Sequence, residues 1–172
     1  GEGLVQMLGL QDQVFARIMT FGKGLGCHGS VILGTPELKN YLVNFARSFI
    51  YTTGLSPHSV ATILVAYQQL EIQKETIVKL KENINHFNQE KIMLGLKPLF
   101  VRSISSIQSA IIPGNENAKN IAKQLQEQGF NVKAILSPTV PEGQERLRIC
   151  LHSYNSEEEI TAVLQNLANL LF

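Results

Sequence analysis

The sequence is short of the residues that would mark several common kinds of protein. It has two cysteines, Cys27 and Cys150, too few for a disulfide framework and suited to a reducing compartment. Charged residues make up 17% and the formal net charge is +1. That excludes the electrostatic footprint of a nucleic-acid or acidic-membrane binder, so any anion site has to be local. No apolar run is long enough to span a bilayer, and the first residues do not read as a signal peptide. Cytoplasmic location is the expectation. Repeats and low-complexity tracts are missing, and Asp12 is the sole aspartate. What is left is ordinary globular composition, 44% hydrophobic over 172 residues, enough to bury one good core.

Three stretches can be read along the chain. Residues 1–9 look like a loop that starts in mid-fold. Val14–Thr20 and Ser30–Leu33 are short apolar runs on either side of a glycine cluster, as two strands would be. Thr35-Pro36-Glu37 has the hydroxyl, proline and acid of a helix start, and Leu38, Leu42, Phe45 and Phe49 follow on one side. Ser56-Pro57 opens a second helix. Its stripe of Val60, Ile63, Leu64, Tyr67 and Leu70 is taken up again by Ile77, Leu80, Ile84 and Phe87, predicting one long helix that ends at Gly95. After Pro98 the elements shorten: a strand over 105–112, a helix over 115–128, a strand over 130–136 and an alternating strand over 146–152. That last strand puts Leu147, Ile149 and Leu151 on one face and Arg146, Arg148, Cys150 and His152 on the other. Ser156 with Glu157–Glu159 starts a final amphipathic helix. The expected class is α/β with an α+β C-terminal lobe: a first segment 1–55, a linking helix 56–95 and a small α+β domain 96–172.

The cluster Thr20-Phe-Gly-Lys23-Gly-Leu-Gly26 sets one lysine among glycines, just before the apolar run Val31–Leu33. A phosphate-cradling P-loop needs glycine where Arg17 stands, and Ser or Thr where Gly24 stands. Gly24-x-Gly26-x-x-Gly29 matches a dinucleotide fingerprint in spelling only. A strand follows the last glycine where a helix is required, and Leu38–Leu70 has no acid to hold a ribose. Two readings stay open. Lys23 is a nucleophile, its amine unhindered between glycines and its pKa lowered by desolvation, with Thr20 beside it for a phosphate. Alternatively, it is a surface lysine in a glycine-rich turn. The adjacent pair Cys27-His28 lacks the partner cluster of a zinc site, and His58, His86 and His152 are isolated.

Thr20–Gly26, Phe49-Ile-Tyr-Thr52-Thr53-Gly-Leu-Ser-Pro57 and Val140-Pro-Glu-Gly143 with Arg146-Leu-Arg148 closely resemble, in that order, three motifs of the α-oxoamine synthases. These are pyridoxal-phosphate enzymes of the aspartate-aminotransferase fold. The resemblance implies that the chain is the C-terminal part of such an enzyme, holding the end of its large domain, a linking helix and its small domain. It implies that Lys23 binds pyridoxal 5'-phosphate covalently and moves the substrate's α-proton. Thr20 would hold the cofactor phosphate, while Thr52 and Thr53 reach the phosphate of a neighbouring subunit, giving a homodimer with shared sites. Arg148 would grip the amino-acid carboxylate through a two-bond fork. His28 departs from the small residue expected after the lysine loop. The activity implied is condensation of a small amino acid, alanine, with an acyl-CoA thioester, pimeloyl-CoA, with loss of carbon dioxide; a member using glycine is the alternative. The ring-stacking histidine and the aspartate that pairs with the ring nitrogen would lie outside this chain, which is therefore expected to be inactive alone. A rival of another kind is a non-catalytic folding or oligomerisation module.

Overall fold

The computed structural model describes residues 3–172. By contact the chain divides into two compact units, Gly1–Lys74 and Glu75–Phe172. The first opens with one helical turn, α1 (Leu4–Met7), inside the stretch expected to be loop. Gln6 Oε1 there accepts a hydrogen bond from Arg17 Nη1. The two apolar runs form an antiparallel hairpin, β1 (Ala16–Thr20) and β2 (Ser30–Gly34), with Thr20 opposite Ser30. Thr35 then caps α2 (Pro36–Phe45), its hydroxyl accepting from the Leu38 amide at 3.3 Å. A short α3 (Arg47–Ile50) follows. Ser56 caps α4 (Pro57–Ile72) in the same way, accepting from Ser59 at 3.2 Å.

The single helix expected over 56–95 is two helices. The first ends at Gln73 (φ −85°, ψ 51°), and α5 (Lys74–Met93) begins directly after it. No residue of the apolar stripe falls between Leu70 and Ile77, so packing does not hold the backbone helical there. The division by contact between Lys74 and Glu75 falls within the segment 56–95 expected to link the two lobes. Side chains of α4 touch the hairpin loop: Tyr67 meets Phe21 edge-on with centroids 6.2 Å apart. Those of α5 belong to the second unit, whose core includes Ile84 and Phe87.

In the second unit β3 (Ile107–Ile111), β4 (Lys133–Ile135) and β5 (Arg146–Cys150) make an antiparallel sheet in the order β3-β5-β4. Helices α6 (Asn115–Glu127) and α7 (Glu157–Leu171) complete it. Ser156 and Glu159 form a reciprocal capping box at the start of α7. The alternation of β5 predicted from sequence holds: Leu147 and Ile149 are buried in the core with Ala110, while Arg148 and Cys150 are exposed. The units differ sharply in burial. Among the described residues, only Phe21 and Cys27 of the first unit are buried hydrophobics, whereas Phe15, Ile18, Tyr51 and Ile72 there are largely exposed. No helix among the described residues is long and apolar enough to cross a membrane.

One cation is buried in the second unit. Lys91 is 5% exposed, its ammonium 2.6 Å from Asn88 Oδ1 and 3.3 Å from Gln108 Oε1, over the rings of Phe87 and Phe100. Burial, with Lys97 adding like charge, lowers its pKa from the usual 10.5. A lysine that binds its proton less tightly when folded sheds protons on folding, so stability rises with pH up to about 10.5. Chemical denaturation between pH 7 and 10 is expected to show that rise in the second unit. Lys91→Met, which keeps the apolar stem, is expected to flatten it and to change stability at pH 7 by no more than about 1–2 kcal/mol.

Candidate functional site

The lysine loop closes the β1–β2 hairpin and is tied at both ends. The Phe21 amide donates to the Gly29 carbonyl at 2.9 Å, and the Cys27 amide to the Phe21 carbonyl at 2.8 Å. Phe21 and Cys27 are buried, with Cys27 Sγ 3.7 Å from the Thr62 carbonyl of α4. The thiol therefore anchors the loop. Gly26 and Gly29 have φ of +66° and +112°, which only glycine adopts readily. Between these anchors Lys23 is exposed, and a Cβ added at neighbouring Gly24 or Gly26 would meet nothing within 4 Å. The side chain thus rises from a braced loop into open space. Thr20, the last residue of β1, is exposed on the hairpin face that carries Ile18 and Ile32. The desolvated amine expected from sequence is not seen: Lys23 is exposed, because the first unit has little buried interior around the loop.

Thr52 and Thr53 lie in the exposed turn between α3 and α4. Leu55, two residues on, packs so tightly on the lysine loop that a Cβ at Gly29 would stand 2.9 Å from its Cδ1. The fold therefore brings the threonine turn and the lysine loop side by side within the first unit, through Leu55 on Gly29.

Arg148 belongs to the second unit. It is exposed at the centre of the sheet, flanked in register by Ser109 of β3 and Lys133 of β4. Arg148 and Lys133 both line a cavity of about 400 Å³, whose wall also includes His152 and Tyr154. Those two rings stack at 4.8 Å with 10° between their planes. Arg146, which shares the face, is committed through Nε to the Gln144 carbonyl at 2.9 Å, leaving Arg148 as the free guanidinium on that strand. The loop before β5 is held by Glu145, 2% exposed, whose Oε2 accepts from the Gly114 amide at 2.9 Å. That bond, with backbone donors at Glu145 and Gly143, keeps its carboxyl below the ordinary carboxylate range. Sequence reading passed over Lys133 and Glu145. Lys133 was legible only as one residue of an alternating strand; the importance of its position comes from the pairing register.

Known proteins identify this arrangement. The model of the family "Aminotransferase class I and II" matches residues 7–167. An 8-amino-7-oxononanoate synthase of Emericella nidulans is 39% identical over 99% of this chain and 42% of its own length. A crystal structure of 8-amino-7-oxononanoate synthase from Francisella tularensis superposes with TM-score 0.79 and 28% identity, over 91% of this chain and 45% of that one. A serine palmitoyltransferase of Sphingomonas wittichii superposes with TM-score 0.84 at 22% identity, over 99% of this chain and 43% of that one, which shows the shared fold. The chain belongs to the aminotransferase class I and II family, in its α-oxoamine synthase branch of pyridoxal-phosphate enzymes. It spans about 42% of the length of the first of these relatives.

Proposed function

We propose that this chain supplies the lysine, the phosphate-binding hydroxyls and the carboxylate-binding arginine of a pyridoxal-phosphate-dependent acyltransferase. That enzyme condenses alanine with pimeloyl-CoA, releasing coenzyme A and carbon dioxide, as its relatives' name, 8-amino-7-oxononanoate synthase, implies. The observation that carries the reading is Lys23, set between open glycines on a loop clamped by Phe21 and Cys27.

The residues fit the cofactor. An aromatic aldehyde needs an unhindered primary amine, and the space beside Gly24 and Gly26 leaves room for a ring at the end of Lys23. When bound, the cofactor acts as an electron sink that stabilises negative charge at the substrate's α-carbon. Lys23 would be the residue that holds it, and its amine would move the proton of the substrate's α-carbon. Thr20 offers a hydroxyl to the phosphate. Thr52 and Thr53 serve the phosphate of a second subunit, so the active form is a homodimer in the cytoplasm. Arg148 orients the amino acid by its carboxylate, which a planar fork does better than a point charge. The exposed apolar residues of the first unit suit a surface covered by further polypeptide of the same enzyme.

The test is an assay of the full-length protein for free coenzyme A thiol and product mass, with three substrate pairs. Alanine with pimeloyl-CoA is expected to give thiol release and 8-amino-7-oxononanoate. Release with glycine and acetyl-CoA alone would assign glycine C-acetyltransferase instead, and release with serine and palmitoyl-CoA alone would move the protein to its structural neighbours' reaction. The present chain by itself is expected to give no turnover, because Asp12, its one aspartate, lies in none of the motifs.

A further inference from the structure

The alternation of β5 reaches one residue further back than its ladder. Glu145, Leu147, Ile149 and Leu151 are all buried, so a carboxylate stands in the row of side chains that faces the core. A charge in that position is costly unless hydrogen bonds satisfy it. Glu145 is satisfied by main chain: its Oε2 accepts from the Gly114 amide at 2.9 Å, and backbone donors at Gly143 and Glu145 also serve the carboxylate. Gly114 is the N-cap of α6, where negative charge is favoured, and its φ of +90° suits glycine alone.

The start of α6 is where one end of each strand of the sheet is fastened. Just past β3, the Ile112 amide donates to the Glu145 carbonyl at 2.8 Å. Just past β4, Ser137 is held by Asn115, whose Oδ1 accepts from the Ser137 amide at 2.9 Å and whose Nδ2 donates to the Ser137 carbonyl at 3.3 Å. Glu145 is the side chain through which β5 joins the same point. Ladder pairing fixes Arg148 across the sheet, against Ser109 and Lys133, while the Glu145 tie fixes the strand along its length, against α6.

We propose that Glu145 is the positioning residue of Arg148. By tying the start of β5 to α6, it sets where the guanidinium stands three residues further on, and with it the affinity for the amino acid. The proposal rests on the reading of Arg148 as the grip on the amino acid's carboxylate, and adds a residue that acts only through that arginine.

Steady-state kinetics of the full-length enzyme test it, using the amino acid and acyl-CoA that give turnover, alanine and pimeloyl-CoA on the reading above. Each is varied in turn with free thiol as the readout. Glu145→Gln keeps the shape but puts a donor where one oxygen accepts; it is expected to raise the KM for the amino acid about fivefold, and Glu145→Ala at least about tenfold. In both, kcat and the KM for the acyl-CoA should stay within about twofold of the parent. Leu167→Ala, at a fully buried side chain on α7, is the control: it should lower the melting temperature and leave the amino-acid KM unchanged. Arg148→Met should raise that KM more than either Glu145 variant. If Arg148→Met raises it and the Glu145 variants do not, the positioning role is refuted while the arginine reading stands. If Arg148→Met leaves it unchanged, the arginine reading falls and the proposal with it. Equal rises for both substrates, or a rise in Leu167→Ala matching those at Glu145, would mean a general loss of packing and refute the role. Should Glu145→Ala fail to fold, Glu145→Gln decides alone by the same comparison.

Discussion

Lys23→Ala in the full-length enzyme is expected to lower turnover at least about a thousandfold, the scale on which nucleophiles and proton-transfer groups act. Two losses combine. On the proposed role of Lys23, the cofactor would lose the amine that holds it, and the α-proton would lose its base. Lys23→Arg should be nearly as damaging, because a guanidinium keeps the charge but neither attacks a carbonyl nor gives up its proton near neutral pH. Lys39→Ala, at an exposed position on α2, is the control and should stay within a few-fold of the parent. The fold should survive all three, since Phe21, Cys27 and the Gly29 carbonyl anchor the loop, and Lys23 contributes only its backbone carbonyl, which accepts from the Gly26 amide at 3.0 Å whatever the side chain. Circular dichroism checks the fold, thiol release checks the turnover, and borohydride reduction in the presence of pyridoxal phosphate should label the peptide carrying Lys23. Retention of a tenth of the activity in Lys23→Ala would remove the lysine from the mechanism.

The lysine loop also shows how much sequence can reveal. Local rules settle local structure: Thr35, Ser56 and Ser156 each cap a helix with the hydroxyl expected of them. Alternation over Arg146–Cys150 separates a buried face from an exposed one because pleating fixes the period at two. The site residues themselves came from resemblance to a family, since a lysine among glycines is equally a turn. Their bracing did not. That Leu55 would dock on Gly29, or that Cys27 would bury its thiol against α4, depends on contacts between segments far apart in the chain.

The same limit explains the other surprises. The helical stripe before Gln73 resumes after it, so periodicity alone runs the two helices together; which half belongs to which core is decided by partners such as Phe87 and Tyr67. Charged residues are read as exposed by default, yet Glu145 and Lys91 are buried because the Gly114 amide satisfies the one, and Asn88 of the same helix with Gln108 of β3 the other. Lys133 is a third case. Its significance is its register against Arg148, and register is set by the sheet, not by either strand alone.

That dependence yields the second large effect, at Leu147. The side chain is fully buried between Arg146 and Arg148 on β5, and its partners across the sheet are Ala110 on one side and Ala134 on the other. Two alanines cannot lean in to fill the space a leucine leaves, so Leu147→Ala should open a cavity that relaxes little, at a cost of about 3–5 kcal/mol. A small domain has only about 5–15 kcal/mol in total, so most of the second unit's stability would go. Leu64→Ala on α4, at a side chain 58% exposed, should change stability by no more than about 0.5 kcal/mol. Urea denaturation followed by circular dichroism separates the two, with the Leu147→Ala midpoint lowered by about 2 M. The functional consequence follows from the same strand: Arg148 keeps its place opposite Lys133 only while Leu147 holds β5 on the core. The Arg148 amide resonance of Leu147→Ala should therefore keep its folded position up to the urea concentration that unfolds the second unit, and lose it there. A folded Arg148 resonance that outlasted that transition would mean that Leu147 is not what holds this strand on the core.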